Sequence, residues 1–114
     1  MAEIKQGFVM TGAGQTTSGA LRLVSETLVG VYMPSVLDAA KLKVQASQDG
    51  STFSDILDAG SAMSVDVLAD SCVVLDATKL LGAAFVRFEH LDAAGVSLAE
   101  TAQRQLRPVF RAFE

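Results

Sequence analysis

The stretch that decides the fold is KLKVQASQDGSTFSDIL, residues 41–57. Leu42, Val44 and Ala46 alternate with Lys41, Lys43, Gln45 and Ser47. That period of two belongs to a strand with one face toward a core and the other toward water. FSDIL, 53–57, reads as its antiparallel partner, and Asp49-Gly50 supplies the turn between them. Asp tolerates a turn and can bond its own backbone, while Gly provides a positive φ. The spacing predicts a hairpin loop over about 48–52, with Val44, Ala46, Phe53 and Ile56 dropping toward the core. A calcium loop needs several oxygens converging from one segment. Asp49 has only Ser47, Ser51 and Thr52 for company, and Asp55 and Asp58 lie on or beyond the next strand, so the turn reading prevails.

The same logic extends in both directions. EIKQGFVMT (3–11) reads as a first strand and GAGQTTSG (12–19) as a loop. ALRLVS (20–25) and LVGVYMP (28–34) are β-prone, with a helix over 19–29 as the rival. Further strands are expected around Met63, Val65 and Val67, and in CVVLD (72–76), an apolar run of the kind covered on both faces. DATKLLG (76–82) reads as one helical turn, capped by Asp76 and ended by Gly82. AAFVRFEHLD (83–92) is a second clear strand, with Phe85, Arg87, Glu89 and Leu91 alternating against Ala84, Val86, Phe88 and His90. AQRQLRPVFRAF (102–113) is strand-like, with a helix over 96–106 as the rival. Pro108 cannot donate to a ladder, which places this strand at an edge or over a bulge. About eight short strands at regular spacing predict an all-β chain folded as a single β-sandwich, jelly-roll or Ig-like, over residues 1–114. Residues 1–19 read as a candidate flexible N-terminal arm and loop, and 102–114 as a terminal edge strand or tail.

Half of the 114 residues are apolar, enough for a core without staples. The net charge of −4 is unevenly spread, because Arg104, Arg107 and Arg111 face only Glu114 in the last fourteen residues. An acidic body argues against nucleic acid as partner. No apolar run approaches a membrane span and no signal peptide is recognisable, so a soluble protein made in a cytoplasm is expected. Cys72 is alone and reads as a small buried hydrophobe. One His and one Cys exclude a zinc cluster. His90, mid-strand beside Glu89, reads as a structural residue rather than a catalytic base. GAGQTTSG lacks the third glycine and the lysine of a phosphate loop. No catalytic, cofactor or metal residue is assigned, and the expectation is a non-enzyme. A carbohydrate-binding module is the alternative. It is weakened by the absence of Trp and by Tyr32 standing alone in an expected core strand.

LVGVYMPSVLDAAKLKVQASQDGSTFSDILD, then SCVVLDATKLLGAAFVRFEH and a closing LRPVF, resemble a group of small tailed-phage and prophage proteins. The shared positions are Met33-Pro34, Ala40 to Gln45, Ser47 to Gly50, Phe53, Leu75 to Phe85 and Leu106 to Pro108, covering about residues 28–110. The chain departs from that group at Ala59-Gly60-Ser61 and in its C-terminal arginines. The resemblance implies a virion structural protein, a capsid decoration (cement) or head-surface accessory protein that docks on the major capsid protein or other virion subunits. It also implies many copies or a homo-oligomer on the particle, with a tail-associated receptor-binding role as a variant. Under that expectation the docking residues are Phe8 and Met10 in the N-terminal arm, and Arg104, Arg107, Phe110, Arg111 and Phe113 in the tail.

Overall fold

A computed structural model describes residues 4–23, 26–58, 60–75, 80 and 83–112. The chain is all-β. Its strands are β1 (Ile4–Gln6), β2 (Val9–Thr11), β3 (Leu21–Arg22), β4 (Glu26–Tyr32), β5 (Lys41–Ser47), β6 (Ser54–Asp55), β7 (Leu57–Asp58), β8 (Ser61–Ala62), β9 (Ser64–Asp66), β10 (Cys72–Val74), β11 (Phe85–Leu91) and β12 (Arg104–Ala112). They form two antiparallel sheets, β1/β2–β12–β4–β10 and β3–β11–β5–β6/β9, with β7 and β8 as a small separate hairpin. β1 and β2 are two pieces of one line along β12, and β6 and β9 two pieces of one line along β5. The main body is therefore a sandwich of four lines on four. The core between the sheets contains Leu28, Val31, Leu106 and Phe110 from the first and Leu42, Val44, Val86 and Phe88 from the second.

The hairpin of residues 41–57 forms, with Gln45 opposite Asp55 and Ala46 opposite Ser54, but Phe53 does not drop into the core; it lies half-buried against Arg87. The hairpin loop runs from Gln48 to Phe53, slightly longer than the spacing suggests. Asp49 Oδ1 accepts from Ser47 Oγ (2.9 Å), Ser51 N (2.8 Å) and Thr52 N (2.9 Å). The backbone hydrogen bonds from Thr52 and Ser51, then that of the Ser47 hydroxyl, pull the Asp49 carboxyl down to about 2. Gly50 has φ 81°, and a Cβ there would meet the Phe85 ring at 3.2 Å, so both conformation and space call for glycine.

The strand readings hold over their helical rivals, with strands at 21–22 and 26–32 and no helix among the described residues of 96–106. Other expectations are corrected. Gln45 and Ser47 are buried rather than turned to water. Gln45 is held between Arg87 Nε (2.8 Å) and Asp55 Oδ1 (2.9 Å), and Ser47 lies under the turn. β10 is an edge strand, with Cys72 exposed and Val74 82% exposed, because the short run CVV covers only one side of β4. Tyr32 is 46% exposed on the outside of the first sheet, not in the core. β12 lies inside its sheet, flanked by β1/β2 and β4, rather than at an edge. Two devices accommodate its proline. The register with β4 shifts between Val109 and Phe110, and the opposing line breaks at Gly7-Phe8, where Gly7 N donates to Pro108 O (3.2 Å). The segment proposed as an N-terminal arm pairs with β12 of its own chain over residues 4–6 and 9–11. The helical turn expected over 76–82 lies outside the described residues except for Leu80, which is buried.

Candidate docking surface

Strand parity sorts the residues of β12. Arg104, Leu106, Pro108 and Phe110 are buried, whereas Gln105, Arg107 and Arg111 are exposed and Val109 is half-buried. Of the expected docking residues, Phe110 therefore belongs to the core and Arg104 is spent inside the protein. Arg107 and Arg111 reach the surface. Phe8 is 63% exposed, Met10 is half-buried, and Phe113 lies outside the described residues. Asp49 and Gly50 serve the turn.

Arg107 stands opposite Tyr32, and Tyr32 opposite Cys72. On the other flank, the pairing of Val9 with Leu106 sets Phe8 beside Arg107. One transverse row, from the break between β1 and β2 across β12, β4 and β10, thus carries Phe8, Arg107, Tyr32 and Cys72, and Val109 and Val74 continue it along the sheet. Arg107 and Arg111 make no hydrogen bond or ion pair among the described residues. The outer face of the second sheet differs. There Lys43 pairs with Glu89 (3.0 Å) and Asp55 (3.5 Å), and Arg87 lies 4.4 Å from the centre of the Phe53 ring while bonded to Gln45. On that face Lys43 and Arg87 have partners and Arg22, opposite Phe85, has none among the described residues, whereas on the first face Arg107 and Arg111 both lack one beside exposed apolar groups.

The other notable constellation is sealed. His90 is fully buried, with Nε2 2.7 Å from Thr11 Oγ1 and Nδ1 2.9 Å from Glu100 Oε2. Glu100 also accepts from Asp38 N (3.0 Å), Ala39 N (2.9 Å) and Arg104 Nε (2.8 Å). Asp38 Oδ2 in turn accepts from Thr101 Oγ1 (2.8 Å) and N. The hydroxyl–imidazole–carboxylate order is that of a nucleophile and its base, yet Thr11 is 0% exposed and no substrate can reach it. The arrangement instead ties β2, β11, the start of β12 and the 38–39 segment together.

Burial is the chief force on His90 and lowers its pKa below 6.5, against the opposing pull of the Glu100 hydrogen bond and charge. The unfolded chain therefore takes up the proton first as pH falls. Stability is complete above about pH 6.5 and declines below it, by at most about 1.4 kcal/mol per pH unit for one proton. Urea midpoints between pH 8 and pH 5 should show that decline. It should vanish in His90→Gln, which has no group titrating there; an equal slope in the variant overturns the assignment.

Among the described residues, no group of His, Cys, Asp and Glu is placed to hold a metal ion, and no helix is long and apolar enough to cross a membrane. No protein-family model matches the sequence, and neither curated proteins nor solved structures give a match.

Proposed function

We propose that this chain is a virion structural protein of a tailed phage or prophage, a decoration or head-surface accessory protein that works by docking on other particle subunits. It would be made in the host cytoplasm and carried in many copies on the particle, with the major capsid protein or a neighbouring subunit as its partner. The resemblance over residues 28–110 supports the class. The observation that carries the docking mode is the outer face of the first sheet. There Phe8 (63% exposed) and Val74 (82% exposed) flank the unpaired Arg107 and Arg111. Apolar anchors beside arginines form a common hot-spot composition, and the free cations suit an acidic partner surface.

Phe8→Asp combined with Val74→Asp should weaken co-sedimentation with particles by at least about tenfold while the domain still melts cooperatively. Full binding by this double variant overturns the docking face. Absence of the protein from purified virions, judged by mass spectrometry, overturns the function itself. Phe110→Ala is unsuited to this test, because Phe110 is a core residue and its loss would act on folding.

A further inference from the structure

At one end of the same sheet the outer face sinks into a groove of ≈ 600 Å³ lined by Tyr32, Met33, Pro34, Ser35, Asp70, Gln105 and Arg107. Its size falls within the range of small-molecule sites. The side chains of Tyr32, Asp70, Gln105 and Arg107 make no hydrogen bond or ion pair among the described residues. Asp70 and Arg107 carry opposite charges on one groove yet do not bridge it. The floor is organised by backbone bonds from Asp70 N to Pro34 O (2.9 Å) and Met33 N to Ser71 O (2.8 Å). Asp70 is also the one described non-glycine residue with positive φ, 61°. Asp tolerates that left-handed conformation in a turn.

We propose that this groove is a saccharide-binding site. A neutral pyranose matches what the groove offers. Its face of C–H groups suits the exposed Tyr32 ring, and its vicinal hydroxyls both donate and accept. They can therefore give a hydrogen to the Asp70 carboxylate while taking one from Arg107 and another from the Gln105 amide. An anionic ligand would leave Asp70 opposed, and an apolar one would leave four polar side chains unsatisfied. The inference goes beyond the particle role and does not depend on it, since the isolated chain should bind.

The test is a titration of the ¹⁵N-labelled full chain with D-galactose, D-glucose and N-acetyl-D-glucosamine, followed by amide chemical shifts, with glycine as a zwitterionic control. Saturable millimolar binding of at least one sugar is expected, with shifts confined to residues 32–35, 70–72 and 105–107. Tyr32→Ala, Asp70→Asn and Arg107→Ala should each weaken it about five- to tenfold, while Tyr32→Phe, which keeps the ring, retains most of the affinity. These side chains are exposed, so the variants fold. No shift with any sugar, shifts elsewhere, equal shifts with glycine, or undiminished binding in all three weakening variants overturns the proposal. The particle assay uses Phe8 and Val74, outside this groove, so the two readings fail separately.

Discussion

Glu100→Ala should lower the free energy of unfolding by about 3–5 kcal/mol, the range for removing one member of a buried charged pair. The Glu100 side chain is 0% exposed and accepts from four donors, namely Asp38 N, Ala39 N, His90 Nδ1 and Arg104 Nε. Burial raises its pKa and is the largest single influence. The bonds from Asp38, Arg104, His90 and Ala39 together outweigh it, and the carboxyl titrates below 4.5. It is ionised in the fold, and alanine would leave the guanidinium and imidazole without their common acceptor. Glu100→Gln keeps the shape and one acceptor oxygen, so its loss should be smaller. Glu100→Met with Arg104→Met removes both charges and should recover much of the deficit, though the two backbone amides stay unsatisfied. Urea denaturation at pH 7 measures the order Ala, Gln and the double variant. A loss below about 1 kcal/mol for Glu100→Ala would mean that the network contributes little net stability. The lowered pKa also has a sign. Stability from Glu100 is present above pH 4.5 and is lost as pH falls through its folded value, so Glu100→Gln should flatten the acid limb.

The sandwich is readable in the sequence because its long strands carry their own period. β5 and β11 alternate cleanly, and Asp49-Gly50 marks a hairpin with local turn chemistry. What the sequence conceals is order across the sheets. The central pairs, β12 with β4 and β11 with β5, join segments far apart in the chain. Pro108 reads as a marker of an edge or a bulge, and the bulge reading fits the register shift after Val109. A lone strand, however, carries no sign that its other partner will break opposite the proline. The buried network is hidden for the same reason, since Thr11 and His90 are 79 residues apart. Glu100 and Arg104, four apart, even imitate a helical ion pair.

Part of the site was legible, however. His90 shares the inward parity of Val86 and Phe88, so it required buried partners. On β12 the same parity forbids Phe110 and Arg111 from serving one surface. Cys72 was hidden for a different reason. A four-residue apolar run is equally compatible with a covered strand and with an edge whose outer side chains are bare, and only the neighbours decide.

Gly30→Val should cost about 1–3 kcal/mol, and the loss should be local. Gly30 lies opposite both Val109 and Val74, and its backbone φ is not of the left-handed kind. Its constraint is space, for a Cβ would come within 2.9 Å of the Val73 carbonyl oxygen, a backbone atom unable to rotate aside. The strand that must yield is β10, three residues long, anchored by Met33 N to Ser71 O (2.8 Å) and Leu75 N to Val29 O (3.0 Å). A β-branched residue ordinarily favours a strand and lowers unfolded-state entropy, so a stabilising effect would be expected if the space existed. Hydrogen exchange separates the outcomes. The amides of Met33 and Leu75 should lose protection while those of β5 and β11 keep theirs. A variant as stable as the parent, with both amides protected, would show that β10 can move outward without cost. If β10 lifts as expected, Val74 and Cys72 leave the plane of the outer face, and particle docking should weaken even though neither residue has been changed.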